Sequence, residues 1–193
     1  MDSQSLEGGF SNAPQQSAQA SRKIMNVMAR PGIIEELSIA KPPAPLSAAA
    51  GTLLLTLCDA QTPVYLAGKY DCQPVRDWVT FHCNAPIGDA QNCMFAIGAW
   101  EELKPLDLYP LGNPEYPDRS ATLIVEHDKL TNEGYDLQGP GIKDKHQLSL
   151  PETEAFQKNA LLFPQGLDFY FTCEDKIAAL PRTTKVTRQE ERV

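Results

Sequence analysis

Apolar residues recur along the chain with two different periods, and the change between them predicts helices and strands in alternation. Helical spacing predicts an amphipathic helix from Ser17 that stops at Arg30-Pro31-Gly32. Three further segments carry helical patterns or helix-start signals, at residues 47–59, 74–84 and 151–163. Short apolar or alternating runs predict strands at residues 32–40, 62–67, 92–98, 120–126, 167–173 and 176–181.

The order of these elements defines the expected fold class. Helices alternate with strands through much of the chain, and the last two strands form a hairpin. The helix at 47–59 is apolar on almost every side, so it has to pack beside a sheet. We therefore predict an α/β fold with three layers, α/β/α, around a central mixed sheet. One domain is expected at 17–187, between a flexible polar tail at 1–16 and a C-terminal tail at 188–193.

Composition narrows the classes of function. The chain has 193 residues, a net charge of -8 and a pI near 4.9, so a nucleic-acid backbone would be repelled. Small anions remain compatible with a local basic cluster. No apolar run has the length of a membrane span, and no signal-peptide pattern opens the sequence. We expect a soluble cytoplasmic protein without a nucleic-acid or membrane partner.

The five cysteines and three histidines supply no clear metal or catalytic motif. The cysteines are scattered without a disulfide framework or a close-spaced pair, which predicts reduced and mostly packed thiols. His82-Cys83, with His127 and His146, is the candidate for a metal or Cys-His site. His82 lies on an apolar helix face, however, where a core histidine is commoner. We predict no catalytic, cofactor-binding or metal-binding residue.

The GPGI sequence at 139–142 resembles a phosphate-binding loop only superficially. It lacks the three spaced glycines of a dinucleotide fingerprint, and Pro140 removes one backbone N–H. A turn is the favoured interpretation, although Lys143 and Lys145 nearby remain available to an anion.

The LPRTT sequence at 180–184 is the best candidate for recognition. Arg182, Thr183 and Thr184 follow an apolar strand and offer the donors that phosphate oxygens prefer. Because open α/β sheets tend to bind ligands just beyond strand ends, we expect Arg182 at the ligand-binding edge of the sheet. The alternative is that Arg182 pairs with an acidic residue while the threonines finish an edge strand. We predict that these three residues, with Arg30, recognise an anion or a partner. If Arg182 faces outward, replacing it should leave the isolated fold nearly intact.

Seven stretches in order give the chain a specific resemblance. They are SRKIMNVMARPG at 21–32, LLTLCDAQTPVYL at 54–66, FHCNAP at 81–86, NPEYPDRSATLIVE at 113–126, GPGI at 139–142, NALLFPQGLDFYFTC at 159–173 and LPRTT at 180–184. Together they resemble the H subunit family of the bacterial carbon-phosphorus lyase system, PhnH, from about Gly9 onward. The chain departs from the family at Ala20-Ser21-Arg22, where an aromatic residue usually precedes the arginine.

The resemblance implies a role in phosphonate catabolism. Its fold would be like the large domain of pyridoxal-phosphate (PLP) transferases, without PLP, and the family supplies no catalytic residue. Acting with subunits G, I and L, the family forms α-D-ribose 1-methylphosphonate 5-triphosphate from ATP and methylphosphonate and releases adenine. Subunit J then breaks the carbon-phosphorus bond. The chain is thus expected to be a synthase subunit that is not catalytic alone. The alternatives are a structural adaptor without ligand contacts and a stand-alone nucleotide or phosphate enzyme.

The resemblance also implies a homodimer when the protein is isolated. Apolar helix residues in excess of what one short sheet needs, Val75, Trp78 and Val79 among them, favour the same expectation.

Overall fold

The computed structural model describes residues 6–188, which form five α-helices and nine strands. The helices are α1 Ala13–Ala29, α2 Ala48–Leu57, α3 Gln73–Cys83, α4 Trp100–Leu103 and α5 Glu154–Ala160. The strands are β1 Glu35–Glu36, β2 Val64–Leu66, β3 Phe95–Ala99, β4 Thr122–Glu126, β5 Tyr135–Gln138, β6 His146–Leu148, β7 Asp168–Cys173, β8 Lys176–Leu180 and β9 Lys185–Arg188.

Six strands form the central sheet in the order β1-β8-β7-β4-β3-β2. Strands β2, β3, β4 and β7 are parallel, whereas β8 runs antiparallel to β7 and to β1. The predicted central mixed sheet is therefore confirmed. Its central strands read as continuous apolar runs because both of their faces are buried: Ile124 packs on one side and Leu123 and Val125 on the other.

The two faces of the sheet are covered differently. Helices α1, α2 and α3 cover one face and contribute Ile24, Leu53 and Trp78 to its core. The other face carries α4 and α5 together with a second sheet of three antiparallel strands, ordered β6-β5-β9. Helix α5 brings Phe156 within 5.0 Å of the Phe169 ring, measured between centroids. The second sheet was not predicted. Because it packs beside α4 and α5, the layer on this side contains both strands and helices and is not purely helical.

Several element boundaries differ from the sequence predictions. Helix α1 begins at Ala13, four residues before the predicted start at Ser17, with Pro14 in its first turn. The preceding segment is held by the domain, because the Trp78 indole N–H donates to the Glu7 carbonyl at 3.1 Å. Strand β9 includes Arg188, the first residue of the predicted C-terminal tail.

The apolar residues suggested for a dimer surface lie inside the chain. Val75, Trp78 and Val79 each have 0% of their surface exposed, since α3 packs them against the sheet and its neighbouring helices. This argument for a homodimer is wrong, and the dimer itself stays a prediction.

Candidate functional site

Ionisable side chains gather where the parallel strands end. Strands β2, β3 and β4 are parallel, so their carboxyl ends share one edge of the sheet, the position where open α/β sheets usually bind ligands. Lys69 and Tyr70 follow β2, Glu102 follows β3, and Glu126 ends β4. We call these four residues the carboxyl-edge cluster.

Glu126 links three elements of the fold through its carboxylate. One oxygen accepts the backbone N–H of Ser47 at 2.7 Å, and the other accepts the Thr172 hydroxyl at 3.0 Å. Ser47 caps α2 by accepting the Ala50 N–H, so the carboxylate lies at the positive end of that helix. Burial nevertheless raises the pKa of Glu126, and these hydrogen bonds and the charge of Lys69 only partly oppose it.

Glu102 holds the loop after β2 against the start of α4. Its carboxylate accepts the backbone N–H of Lys69 at 3.1 Å and that of Ala99 at 3.2 Å. Gly68 has φ +51, and a Cβ built there would lie 2.1 Å from the Glu102 Cδ. A side chain at residue 68 would displace the Glu102 carboxylate, so glycine preserves the contact that holds the backbone of Lys69.

The cluster combines three kinds of chemistry. Burial first, and then the charge of Glu126, raises the pKa of Tyr70, so its phenol stays protonated at neutral pH. Lys69 contributes an ammonium group and Glu126 a carboxylate that binds a proton more readily than usual. The Lys69 ammonium can attract an anion and Glu126 can exchange a proton, whereas Tyr70 is 4% exposed and Glu102 adds a second acidic group to the same edge. No sequence motif pointed to these residues. Each ends an apolar strand run or lies within four residues of its end, and that position is the signal that would have found them.

Arg182 lies at the opposite ends of the parallel strands, their amino ends, which we call the amino edge of the sheet. We expected it at the ligand-binding edge because it follows a strand, but β8 is antiparallel to β7. Its end therefore lies beside Asp168, the first residue of β7, at the amino ends of the parallel strands. The expected location was wrong because strand direction is not encoded in a local apolar run.

The Arg182 guanidinium is fully engaged by the chain itself. It donates two bonds to the Asp168 carboxylate, at 3.2 and 2.6 Å, and one to the Ser120 hydroxyl. Its Nη1 donates to the carbonyls of Pro117 at 3.0 Å and Pro164 at 3.2 Å. These five bonds equal the five N–H donors of a guanidinium. The geometry is that of the ion-pair alternative, and recognition of an external group by Arg182 stays a prediction.

The other predicted recognition residues surround the Gly139–Gly141 turn. Thr184 is 2% exposed, and its hydroxyl has no hydrogen-bond partner within the described chain. A Cβ at Gly139 would lie 3.1 Å from the Thr183 carbonyl oxygen. The exposed Arg30 ends α1 next to Ala29, whose carbonyl oxygen would lie 1.9 Å from a Cβ at Gly141. The structure thus gathers the Arg30, Gly139–Gly141 and Thr183-Thr184 segments, while the Arg182 side chain bonds elsewhere.

The GPGI sequence forms the predicted turn. The Ile142 N–H donates to the Gly139 carbonyl at 3.1 Å, which closes the four-residue turn. Lys145 is paired with Asp136 at 2.8 Å. The turn packs on α1 and leaves its glycines in contact with protein backbone on one side.

The three histidines have separate environments. His82 packs with its ring centroid 5.1 Å from Trp78, His127 lies 6.2 Å from Phe171, and His146 Nδ1 is 2.7 Å from the Pro31 carbonyl oxygen. Between residues 6 and 188, no three His, Cys, Asp or Glu side chains form a group able to hold a metal ion. In the same range, no helix is long and apolar enough to cross a membrane.

Comparison with known proteins defines the class of this mixed α/β chain. A family model described as "Bacterial phosphonate metabolism protein (PhnH)" matches residues 8–187. The chain therefore belongs to the PhnH family of bacterial phosphonate metabolism proteins. It is 38% identical over 199 aligned residues to the "Alpha-D-ribose 1-methylphosphonate 5-triphosphate synthase subunit PhnH" of Rhizobium meliloti (strain 1021). That alignment covers 97% of this chain and 98% of the relative.

Proposed function

We propose that the chain is the H subunit of a synthase that forms α-D-ribose 1-methylphosphonate 5-triphosphate from ATP and methylphosphonate, with release of adenine. The observation that carries this proposal is the similarity to the R. meliloti subunit over nearly the full length of both chains. A match that spans the whole domain indicates a shared role and not only a shared fold fragment. The role belongs to phosphonate catabolism, and the cytoplasm is its expected compartment.

The chain acts in this proposal with siblings G, I and L, and beside subunit J, and is not catalytic alone. The carboxyl-edge cluster is the part of the chain best suited to meet a phosphate-bearing substrate, because it places the exposed Lys69 ammonium at the strand ends where open α/β sheets bind ligands. Burial also gives Glu126 a raised pKa. These features favour a subunit that contributes to a shared site over an adaptor without ligand contacts.

Complementation tests the proposed role directly. A bacterium lacking its own H subunit should regain growth on methylphosphonate as sole phosphorus source when this chain is expressed. Purified chain alone should not release adenine from ATP, whereas the chain with its siblings should. Adenine release by the isolated chain would instead establish a stand-alone enzyme.

Lys69→Ala separates a shared site from an adaptor. If the cluster meets substrate, this variant should assemble with the siblings normally but release adenine more slowly. Lys185→Ala, which removes an exposed lysine of β9, is the matched control and should behave like the wild type. Unchanged adenine release by Lys69→Ala would favour the adaptor.

Two finer proposals concern the isolated protein. We infer from the family resemblance that it is a homodimer, and that its fold is related to the PLP transferases without binding PLP. Light scattering at micromolar concentration should give twice the mass of one chain. Added PLP should produce no aldimine absorbance, and a monomeric mass or an aldimine spectrum would overturn the corresponding proposal.

A further inference from the structure

Exposed apolar side chains concentrate on two neighbouring loops. Of nine large apolar residues that are exposed within the described chain, five belong to residues 105–119, the first loop, or 161–166, the second loop. They are Leu108, Tyr116, Leu161, Leu162 and Phe163. Leu161 is 85% exposed and Phe163 is 61% exposed, although exposing an apolar side chain to water costs free energy. We call these two loops the two-loop surface. Apolar residues gathered in this way mark interaction sites on soluble proteins.

The two loops are fastened to each other. The Gly166 N–H donates to the Leu111 carbonyl, and Gln165 Nε2 donates to the Gly112 carbonyl, both at 2.9 Å. Arg182 adds a third connection, because its Nη1 donates to one carbonyl of each loop. The apolar side chains are therefore presented on a held backbone, which lowers the entropy lost when a partner binds.

A cavity between the loops can receive an apolar side chain of a partner. It has a volume of about 580 Å³ and lies between the two loops and α5. Its apolar lining includes Leu106, Leu111, Leu162 and Leu167. Hot-spot residues of protein interfaces typically fill such pockets.

Charges around the surface distinguish a different protein from a second copy. Three exposed carboxylates on the first loop have no ion-pair partner between residues 6 and 188; they are Asp107, Glu115 and Asp118. The nearby Lys104 and Lys158 already pair with Glu101 at 2.9 Å and Glu154 at 2.6 Å. Arg119, over the Tyr116 ring at 4.1 Å, offsets one negative charge. In a two-fold interface this acidic surface would face itself, which is unfavourable.

We propose that the two-loop surface docks a sibling subunit of the synthase, through apolar side chains surrounded by lysine and arginine. This inference rests on the proposed function, and it assigns Arg182 a positioning role: the guanidinium holds the docking loops together without touching the partner.

Co-purification of tagged chain with its co-expressed siblings tests the surface. The double variant Leu161→Ser/Phe163→Ser should reduce the amount of co-purified sibling protein by about tenfold or more, because two central apolar contacts are lost. Met25→Ser/Phe81→Ser is the matched control, since these side chains are 70% and 52% exposed on other elements. The control should recover siblings like the wild type. Thermal unfolding of both variants should match the wild type, because none of the four side chains is buried.

The outcomes separate this proposal from the proposed function. If the wild-type chain recovers no sibling, the proposed function itself fails. If the wild type and the Leu161→Ser/Phe163→Ser variant recover siblings equally, only the docking surface is overturned. If that variant instead turns a homodimer into a monomer while sibling recovery is intact, the occupant is a second copy and the proposal is wrong. A charge test adds to this: Asp107→Lys/Asp118→Lys should weaken recovery by repelling a basic partner.

Discussion

The two edges of the central sheet each hold one charged group that joins several elements, but they hold it in different ways. At the amino edge, all five donors of the Arg182 guanidinium meet acceptors of the chain. At the carboxyl edge, Glu126 receives two hydrogen bonds, and burial still raises its pKa. The amino edge is thus electrostatically complete, whereas the carboxyl edge keeps a carboxylate whose ionisation costs free energy.

This difference distinguishes a charged group with a structural role from one that can respond to a ligand. A charge whose every donor is satisfied internally has nothing left for a ligand, and removing it leaves the partner carboxylate unpaired. A carboxylate that is only partly compensated responds to any cation or proton brought near it. We therefore regard Arg182 as a structural residue and the carboxyl edge as the responsive one.

Removing Arg182 should produce the largest effect. Arg182→Ala leaves Asp168 with only the backbone N–H of residue 182 as a donor and removes the guanidinium from two loop carbonyls. The side chains of the ion pair are only 12% and 25% exposed. The free energy of unfolding should fall by about 3 kcal/mol, the lower range for breaking a buried pair. Urea unfolding measures this change, and Lys176→Ala, on the same hairpin but exposed, should change it by less than about 0.5 kcal/mol.

The Arg182 experiment can also reverse the comparison. If Arg182→Ala unfolds like the wild type while it loses affinity for inorganic phosphate, the residue recognises an external anion. Arg182 would then be a recognition residue, as the sequence predicted, and the amino edge would be the functional one.

Glu126→Gln should have a smaller effect that depends on pH. Because the folded pKa of Glu126 is raised above its usual value of 4.5, the folded state binds its proton more tightly than the unfolded state. Its contribution to stability is therefore fully present below about pH 4.5 and lost as the pH rises through the folded pKa. Glutamine keeps hydrogen-bonding groups at the site but does not titrate.

The measurement is unfolding free energy against pH for the variant and the wild type. As the pH rises from about 4.5 to neutrality, the wild type should lose stability relative to Glu126→Gln. At pH 7 the two free energies of unfolding should differ by no more than about 1 kcal/mol. Exposed Glu133→Gln should give a flat difference over the same range. A flat difference for Glu126→Gln as well would mean that the carboxyl edge is as complete as the amino edge.

The sequence predicted the central sheet well for a physical reason. Strands such as β4 and β7 are buried on both faces, so their apolar runs are continuous and stand out from their surroundings. The second sheet left no such trace. Strand β6, His146–Leu148, has three residues, and β9, Lys185–Arg188, buries only Val186, so neither shows a readable period.

The candidate site was predictable only in part. Arg182 stood out by residue type, but its location depends on the direction of β8, which is decided by pairing with β7 across the sheet. Glu126 and Lys69 were accessible to a simpler rule, because they end or follow parallel strands. Their grouping still requires the register of three strands, which no local pattern contains.

The smallest expected effect compares one thiol at each edge. Cys93, which precedes β3 at the amino edge, is 2% exposed, and burial raises its pKa to about 12. Cys173 ends β7 at the carboxyl edge and is only partly buried. Because the thiolate is the reactive form and has to be reached by the reagent, Cys173 should be alkylated well before Cys93. Mass spectrometry of peptides after timed iodoacetamide treatment gives both rates in one sample.

Glu126→Gln refines this last comparison. Burial and then the charge of Glu174 raise the pKa of Cys173, and the Glu126 charge adds a smaller increase. Removing that charge should speed alkylation of Cys173 by about twofold or less, because a lower pKa leaves more of the reactive thiolate, and should leave Cys93 unchanged. If Cys93 reacts first, the amino edge opens to solvent more readily than the carboxyl edge. We would then conclude that the amino edge is the responsive one and that the carboxyl edge is structural.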